Sequence, residues 1–259
     1  MSDFDASSFL NPRIERHQSL VSTNDEAMRR AREGHGGGVW IIADEQTGGR
    51  GRHGRPWTSP PGNLHASLLL INPVAVAQTP ELGFVAGVAL ASALRDCLGG
   101  DDRLKIKWPN DMLHDGAKLA GLMLEGSTLA DGRFAVVIGI GVNCASHPGD
   151  LAYPATSLSQ IAGAGIGAAE ILARLVNQMS HWLGLYSKGR NFALIRQQWL
   201  AMAAGLGSMI MVDIGGRKVA GCFNSIDPRG RLILETPDGH SFLEAGDVFL
   251  PGIMDKPIN

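Results

Sequence analysis

Hydrophobic positions along the chain follow two spacings, and their order predicts an α/β unit followed by a smaller β-rich one. Ala27, Met28 and Ala31 lie on a helical repeat after Ser22-Thr23-Asn24-Asp25-Glu26. Thr23 and Glu26 have the separation of a capping box, and the glycine-rich run 34–38 offers a stop. The runs VWIIA (39–43) and LHASLLLI (64–71) are compact, apolar and rich in β-formers, so both read as strands around a glycine-rich loop. Leu82, Val85, Val88, Ala89, Leu94 and Leu98 give the segment 80–98 one wide apolar helical face. Strands are expected at 104–108, 117–125 and 133–142, the last of which (FAVVIGIGV) is apolar throughout, as a strand covered on both faces should be. Helices are expected at 168–186 and 192–203, whereas 13–20 is too mixed to assign.

From Leu206 onward the texture changes. Short β-like pieces, MIMVDI, KVAGCFNSI, RLILET and HSFLEA, alternate with Gly-Gly, Asp-Pro-Arg-Gly and Pro-Asp-Gly turns, the pattern of a small barrel or meander. The expected organisation is an α/β (α+β) domain with a mixed sheet over 1–205 and a small β domain over 206–259 packed against it.

Composition narrows the class. The chain is 44% hydrophobic and 19% charged, with no apolar run of membrane-spanning length. The acidic, polar opening is unlike a signal peptide, so a soluble, cytoplasmic protein is expected. Cys97, Cys144 and Cys222 lie too far apart for a redox pair or a zinc cluster and read as buried thiols. A net charge of −2 excludes a broad electrostatic footprint for nucleic acid, so any phosphate chemistry must be local.

One segment stands out against that background: Gly48-Gly49-Arg50-Gly51-Arg52-His53-Gly54-Arg55-Pro56-Trp57. Alternating glycine lets backbone approach a ligand closely, while the guanidiniums of Arg50, Arg52 and Arg55 converge on it, as a triphosphate or acyl phosphate requires. Taken alone, an exposed basic turn or an RGG-like nucleic-acid arm would look the same.

Its neighbours decide between these readings. Ser22-Thr23-Asn24, then QTGGRGRHGRPW (46–57), Gly62-Asn63-Leu64, Lys107-Trp108-Pro109-Asn110-Asp111, Lys118-Leu119-Ala120-Gly121 and Gly139-Ile140-Gly141-Val142-Asn143 follow one another in an order and spacing that resembles the biotin protein ligase family, in a short form. The resemblance implies a mixed-sheet catalytic domain shared with class II aminoacyl-tRNA synthetases and biotin/lipoate ligases, followed by an SH3-like barrel. It implies ATP, biotin and Mg²⁺ as ligands, a biotinyl-AMP intermediate, and transfer to a lysine of a biotin carboxyl carrier protein of acetyl-CoA carboxylase or another biotin-dependent carboxylase.

Residue roles follow from the same resemblance. Ser22, Thr23, Asn24 and Gln46 match the positions that hydrogen-bond the ureido end of biotin; Gly49, Arg50, Gly51, Arg52 and Lys118 complete the biotin set. Arg52, Arg55, Trp57, Lys107, Asn110 and Asn143 match the nucleotide side, with Trp57 open between sheltering the ligand and packing the core. Lys118 is the central cation between biotin's carboxylate and the α-phosphate, with Arg50, Arg52 and Asp111 beside it in the catalytic set. Asp111 either orients Lys118 or holds Mg²⁺. His65, where the family often has an aromatic residue, and Pro251, where a basic residue often follows, depart from the pattern.

The same fold also serves lipoate and octanoate ligases or transferases, but a lipoyl tail has no ureido group to match the polar Ser-Thr-Asn and Gln46 positions. A biotin-operated repressor needs a DNA-reading domain, and the few residues before Ser22 are too short for one, so no DNA partner is expected. No membrane partner is expected either, and monomer and homodimer stay equally open.

Overall fold

In a computed structural model, residues 12–149, 151–163 and 165–250 are described. Seven strands form one mixed sheet: β1 (Arg13–Leu20), β2 (Val39–Gln46), β3 (Leu64–Ile71), β4 (Leu104–Lys107), β5 (Asp111–His114), β6 (Ala117–Thr128) and β7 (Phe134–Val142). Their order is β1-β2-β3-β7-β6-β5-β4, with β1 parallel to β2 and every other pair antiparallel. The unassigned segment 13–20 is therefore an edge strand, whose mixed composition fits a place with a neighbour on one side only.

Both faces of the sheet are covered, which is why its central strands are apolar at successive positions. Helix α1 (Thr23–Arg32) packs Ala27, Met28 and Ala31 on one face against Val39, Ile41, Leu69, Ala135 and Val137. The opposite-parity residues Trp40, Ile42, Leu68, Leu70, Val136 and Ile138 enter the larger core under α2 (Glu81–Cys97), α4 (Ala168–Tyr186) and α5 (Phe192–Ala201). A short α3 (Leu158–Ala162) follows β7. The period-based helix boundaries agree with these elements to within about two residues, the usual fraying of helix ends.

Two local expectations change. Ser22, not Thr23, caps α1: its Oγ accepts the amide of Asp25 at 3.4 Å, and Thr23 is the first helical residue with its hydroxyl turned to other partners. Of the three free cysteines only Cys144 is buried, since Cys97 and Cys222 lie at partly exposed positions.

The C-terminal part is a five-stranded antiparallel sheet of β8 (Met209–Ile214), β9 (Arg217–Ile226), β10 (Leu232–Thr236), β11 (Gly239–Leu243) and β12 (Asp247–Phe249), ordered β11-β10-β9-β8-β12. The segment between α5 and β8 pairs with β4 of the main sheet, where Ile106 N–H donates to Met202 O at 2.8 Å and Ala204 N–H to Ile106 O at 2.9 Å. Its β12 strand, too short to register in the sequence pattern, lines the wall of the main cavity together with the residues around it. Pro251 lies outside the described residues.

Candidate active site

A cavity of about 480 Å³ opens over β5, β6 and β7, between the N-terminus of α1, the loop after β2 and the end of the C-terminal sheet. The sheet makes room for it with glycine. Gly139 and Gly141 on β7 and Gly121 on β6 share one face, since Gly121 is paired with Gly141 and Met123 with Gly139. A Cβ on Gly141 would stand 2.6 Å from the Trp57 indole, and one on Gly139 would overlap the Asn24 amide. These glycines are spaces kept for two side chains that belong to the site.

The uncharged end is a chain of hydrogen bonds. Ser67 Oγ lies 2.7 Å from Thr23 Oγ1 and 2.5 Å from Asn24 Oδ1, both acceptors for its one proton. Thr23 donates from its amide at 2.8 Å and its hydroxyl at 3.0 Å to Gln46 Oε1. Gln46 Nε2 donates to Ser59 Oγ at 2.9 Å, and Ser59 to Trp57 O at 3.1 Å. Ser22, Thr23 and Asn24 are buried, so each rotamer is held by partners and not by water.

The charged end is built across the β5–β6 hairpin. Its register shifts between Met112 and Leu113, leaving Gly121 opposite Asp111, and the Lys118 side chain runs over that glycine. Lys118 Nζ lies 2.7 Å from Asp111 Oδ1, while Lys107 Nζ lies 3.2 Å from Oδ2. Burial pushes the Asp111 carboxyl up, but the two ammoniums outweigh it and hold the group below the ordinary carboxylate range. Lys118 also stands over the rings of Trp57 at 5.5 Å and Tyr153 at 5.4 Å.

Each oxygen of Asp111 faces an ammonium, the contact by which a carboxylate orients Lys118. No group of three or more His, Cys, Asp or Glu that could hold a metal occurs among the described residues.

The Arg-Gly loop closes the cavity from outside. Arg50 makes a two-pronged contact with Asp25 at 2.8 and 2.6 Å and reaches Glu125 at 3.1 Å. Arg52 donates to Asn110 Oδ1 at 3.2 Å and to Gly246 O at 3.3 Å, and Arg55 is paired with Asp247. The loop cations are thus not left facing one another: acceptors on α1, β6 and β12 hold each of them. Burial lowers the pKa of Arg52, opposed by Asp247 and Asp111, so its charge is held in a partly dry setting.

Most residues singled out in the sequence line this cavity, namely Ser22, Thr23, Asn24, Gln46, Arg50, Gly51, Arg52, Arg55, Trp57, Lys107, Asn110, Asp111 and Lys118. Two stand behind its wall. Gly49 packs under Trp57 O and Ser59 Oγ, where a Cβ would come within 2.5 Å of each. Asn143 is buried and donates to Thr156 O at 3.1 Å and Lys118 O at 3.5 Å, fastening the strand that carries Lys118. His65, paired with Gly141, is likewise buried, its Nε2 3.1 Å from Pro60 O, and burial lowers its pKa. Sequence reasoning missed Ser67, Glu125, Tyr153 and Asp247. Ser67 had a signal, a lone hydroxyl inside an apolar strand; the others look like ordinary surface residues until their partners are in place.

Comparisons with known proteins identify the family. Residues 16–143 match the biotin/lipoate A/B protein ligase family and residues 205–250 match the biotin protein ligase C-terminal domain. A biotin–[acetyl-CoA-carboxylase] ligase of Paracoccus denitrificans is 40% identical over 239 residues, covering 89% of this chain and 98% of that protein. A bifunctional ligase/repressor of Bacillus subtilis is 33% identical, covering 90% of this chain and 73% of that protein. Among solved structures, a biotin protein ligase from Aquifex aeolicus in complex with biotin and ATP superposes with a TM-score of 0.78 at 26% identity, covering 92% of this chain and 97% of that one. With the family's blocks gathered around one cavity and both of its domain models matched, the chain is an enzyme that belongs to the biotin protein ligase family.

Proposed function

We propose that this cavity activates biotin with ATP and passes the acyl group to a lysine of a biotin carboxyl carrier protein. The observation that carries the reading is a single cavity with an uncharged hydrogen-bonding end at Thr23, Asn24 and Gln46 and a cationic end at Lys107, Lys118 and Arg52. Biotin has the complementary ends, a cyclic urea with two donors and one acceptor, and a carboxylate.

In the first step a carboxylate oxygen attacks the α-phosphorus of ATP, the bond to pyrophosphate breaks, and biotinyl-AMP forms. In the second, a neutral carrier amine attacks the acyl carbon, AMP leaves, and the amine gives up a proton. The enzyme supplies no nucleophile. Lys118, oriented by Asp111, stabilises charge that grows on phosphate oxygens in both steps, and Arg52 adds a second cation from the loop. Gln46 and Thr23 come prearranged, so little rotamer freedom is lost when the urea binds.

The test has two stages. Purified protein with biotin and the magnesium salt of ATP is expected to release pyrophosphate only when biotin is present, and to hold biotinyl-AMP detectable by mass spectrometry. Added carrier domain should then gain one biotinyl group on one lysine. Pyrophosphate release indifferent to biotin, or activation of lipoate or octanoate in its place, would refute the reading.

A further inference from the structure

Gly121, Met123 and Glu125 alternate on one face of β6, and the first two line the cavity while Glu125 does not. Its carboxylate stops just behind the wall and holds two side chains that do line it. Oε2 accepts Asn24 Nδ2 at 2.6 Å, and Oε1 accepts Arg50 Nη2 at 3.1 Å. Asn24 is buried at the uncharged end; Arg50 belongs to the loop that closes the site. We infer that Glu125 is a positioning residue that couples the biotin-head pocket to the closing loop, so that ordering Asn24 and holding Arg50 are one event.

The chemistry of the contacts supports a coupling and not mere packing. Asn24 is clamped from both sides: Glu125 takes its amide N–H, and Ser67 donates to its carbonyl at 2.5 Å. That pair of partners fixes which way the amide points, and so which atom it presents to a ligand. Arg50 stands between Glu125 and the more exposed Asp25, with the side chains 30% and 51% exposed respectively. Asp25 takes Arg50 in the shorter, two-pronged contact, and Glu125 adds the contact that ties the same guanidinium to Asn24. A carboxylate has acceptor capacity on both oxygens, whereas an amide has one acceptor oxygen and one donor group. Glutamine in its place keeps one acceptor oxygen, puts a donor group where the second oxygen stood and removes the charge that Arg50 faces.

The inference rests on the proposed function, and the experiment keeps the two apart. Glu125→Gln is measured in the full chain for biotin KM, for kcat of biotin-dependent pyrophosphate release at saturating biotin, and for the rate at which biotinyl-AMP leaves. The expected result is a rise of about tenfold in biotin KM and in biotinyl-AMP release, with kcat within about twofold and the melting temperature nearly unchanged. Glu125→Asp, which keeps the charge but withdraws it by one methylene, is expected to show the same split with a smaller change. It decides the question alone if the glutamine variant does not fold. Unchanged KM and release in a wild type that makes biotinyl-AMP would overturn the inference alone. So would a kcat loss at unchanged KM, which would mean that Glu125 acts on the chemistry directly. A wild type that makes no biotinyl-AMP would overturn the functional reading and this inference with it.

Discussion

Lys118 and Asp111 meet at 2.7 Å across a β-hairpin whose register shift and whose Gly121 leave room for the pair. Asp111 holds the ammonium in one orientation, and a charge so held stabilises a transition state with little reorganisation at the moment of reaction. Lys118→Ala is expected to keep the fold and lose biotin-dependent pyrophosphate release by a factor of about 10² to 10³, read in a pyrophosphate assay beside a circular-dichroism melt.

Asp111 links the site to stability. Its carboxyl is held below the ordinary aspartate value because Lys118 and Lys107 outweigh the opposing effect of burial. A depressed folded pKa contributes stability that is present above the unfolded value of about 3.9 and is lost as pH falls through the folded one. Asp111→Asn should flatten the acid limb of the stability curve below about pH 4. At neutral pH it should cost about 2 kcal/mol, less than a fully buried pair, because both ammoniums keep some solvent contact. Urea titrations from pH 2 to 7 measure both effects; an acid limb identical to that of wild type would be the contrary result.

The cavity glycines predict a split in ligand effects. Gly139→Ala pushes on Asn24 and is expected to raise biotin KM by tenfold or so while sparing that for ATP. Gly141→Ala pushes on the Trp57 indole and, if that ring shelters the nucleotide, is expected to act chiefly on ATP KM. Steady-state titration of each substrate with both variants distinguishes these outcomes from a general loss of fold.

The loop arginines are held by Asp25, Glu125, Asn110, Gly246 O and Asp247, so a phosphate must compete with carboxylates already in place. Arg52→Gly removes the contact that ties the loop both to Asn110 and to the C-terminal sheet. Biotinyl-AMP should leave this variant about tenfold faster or more, with its formation slowed less, and biotin should appear on bystander lysines. Tryptic cleavage after Arg50 and Arg52 of the wild type should slow when biotin and ATP are added. Cleavage already slow without ligand would identify a rigid scaffold in place of a closing loop.

Away from the site, Tyr186 on α4 donates to Glu81 on α2 at 2.7 Å inside the core. Burial and the Glu81 contact raise the phenol well above its ordinary value. Tyr186→Phe would strand a buried carboxylate and is expected to destabilise by about 1–3 kcal/mol with little change in KM for either substrate. A calorimetric melt with kinetics on the same sample checks both halves.

The sequence by itself determined what depends on neighbours along the chain. Apolar runs located β2, β3, β6 and β7, helical periodicity located α2 and α4, and the ordered polar blocks named most of the cavity lining, Thr23, Gln46, Arg52, Asp111 and Lys118 among them. Only the tertiary structure decided who faces whom. That Asp111 is shared by two lysines depends on a hairpin register, that Glu125 serves Asn24 and Arg50 depends on β6 lying beside β7, the last strand that α1 covers, and that Asp247 meets Arg55 depends on a sheet that begins some 150 residues after the loop. An edge strand such as β1 and a four-residue strand such as β5 carry too little pattern to be read, because one is covered on a single edge and the other is held by pairing instead of propensity. A charged side chain written in sequence looks the same whether water or a distant arginine will satisfy it; packing alone removes the water and supplies the partner.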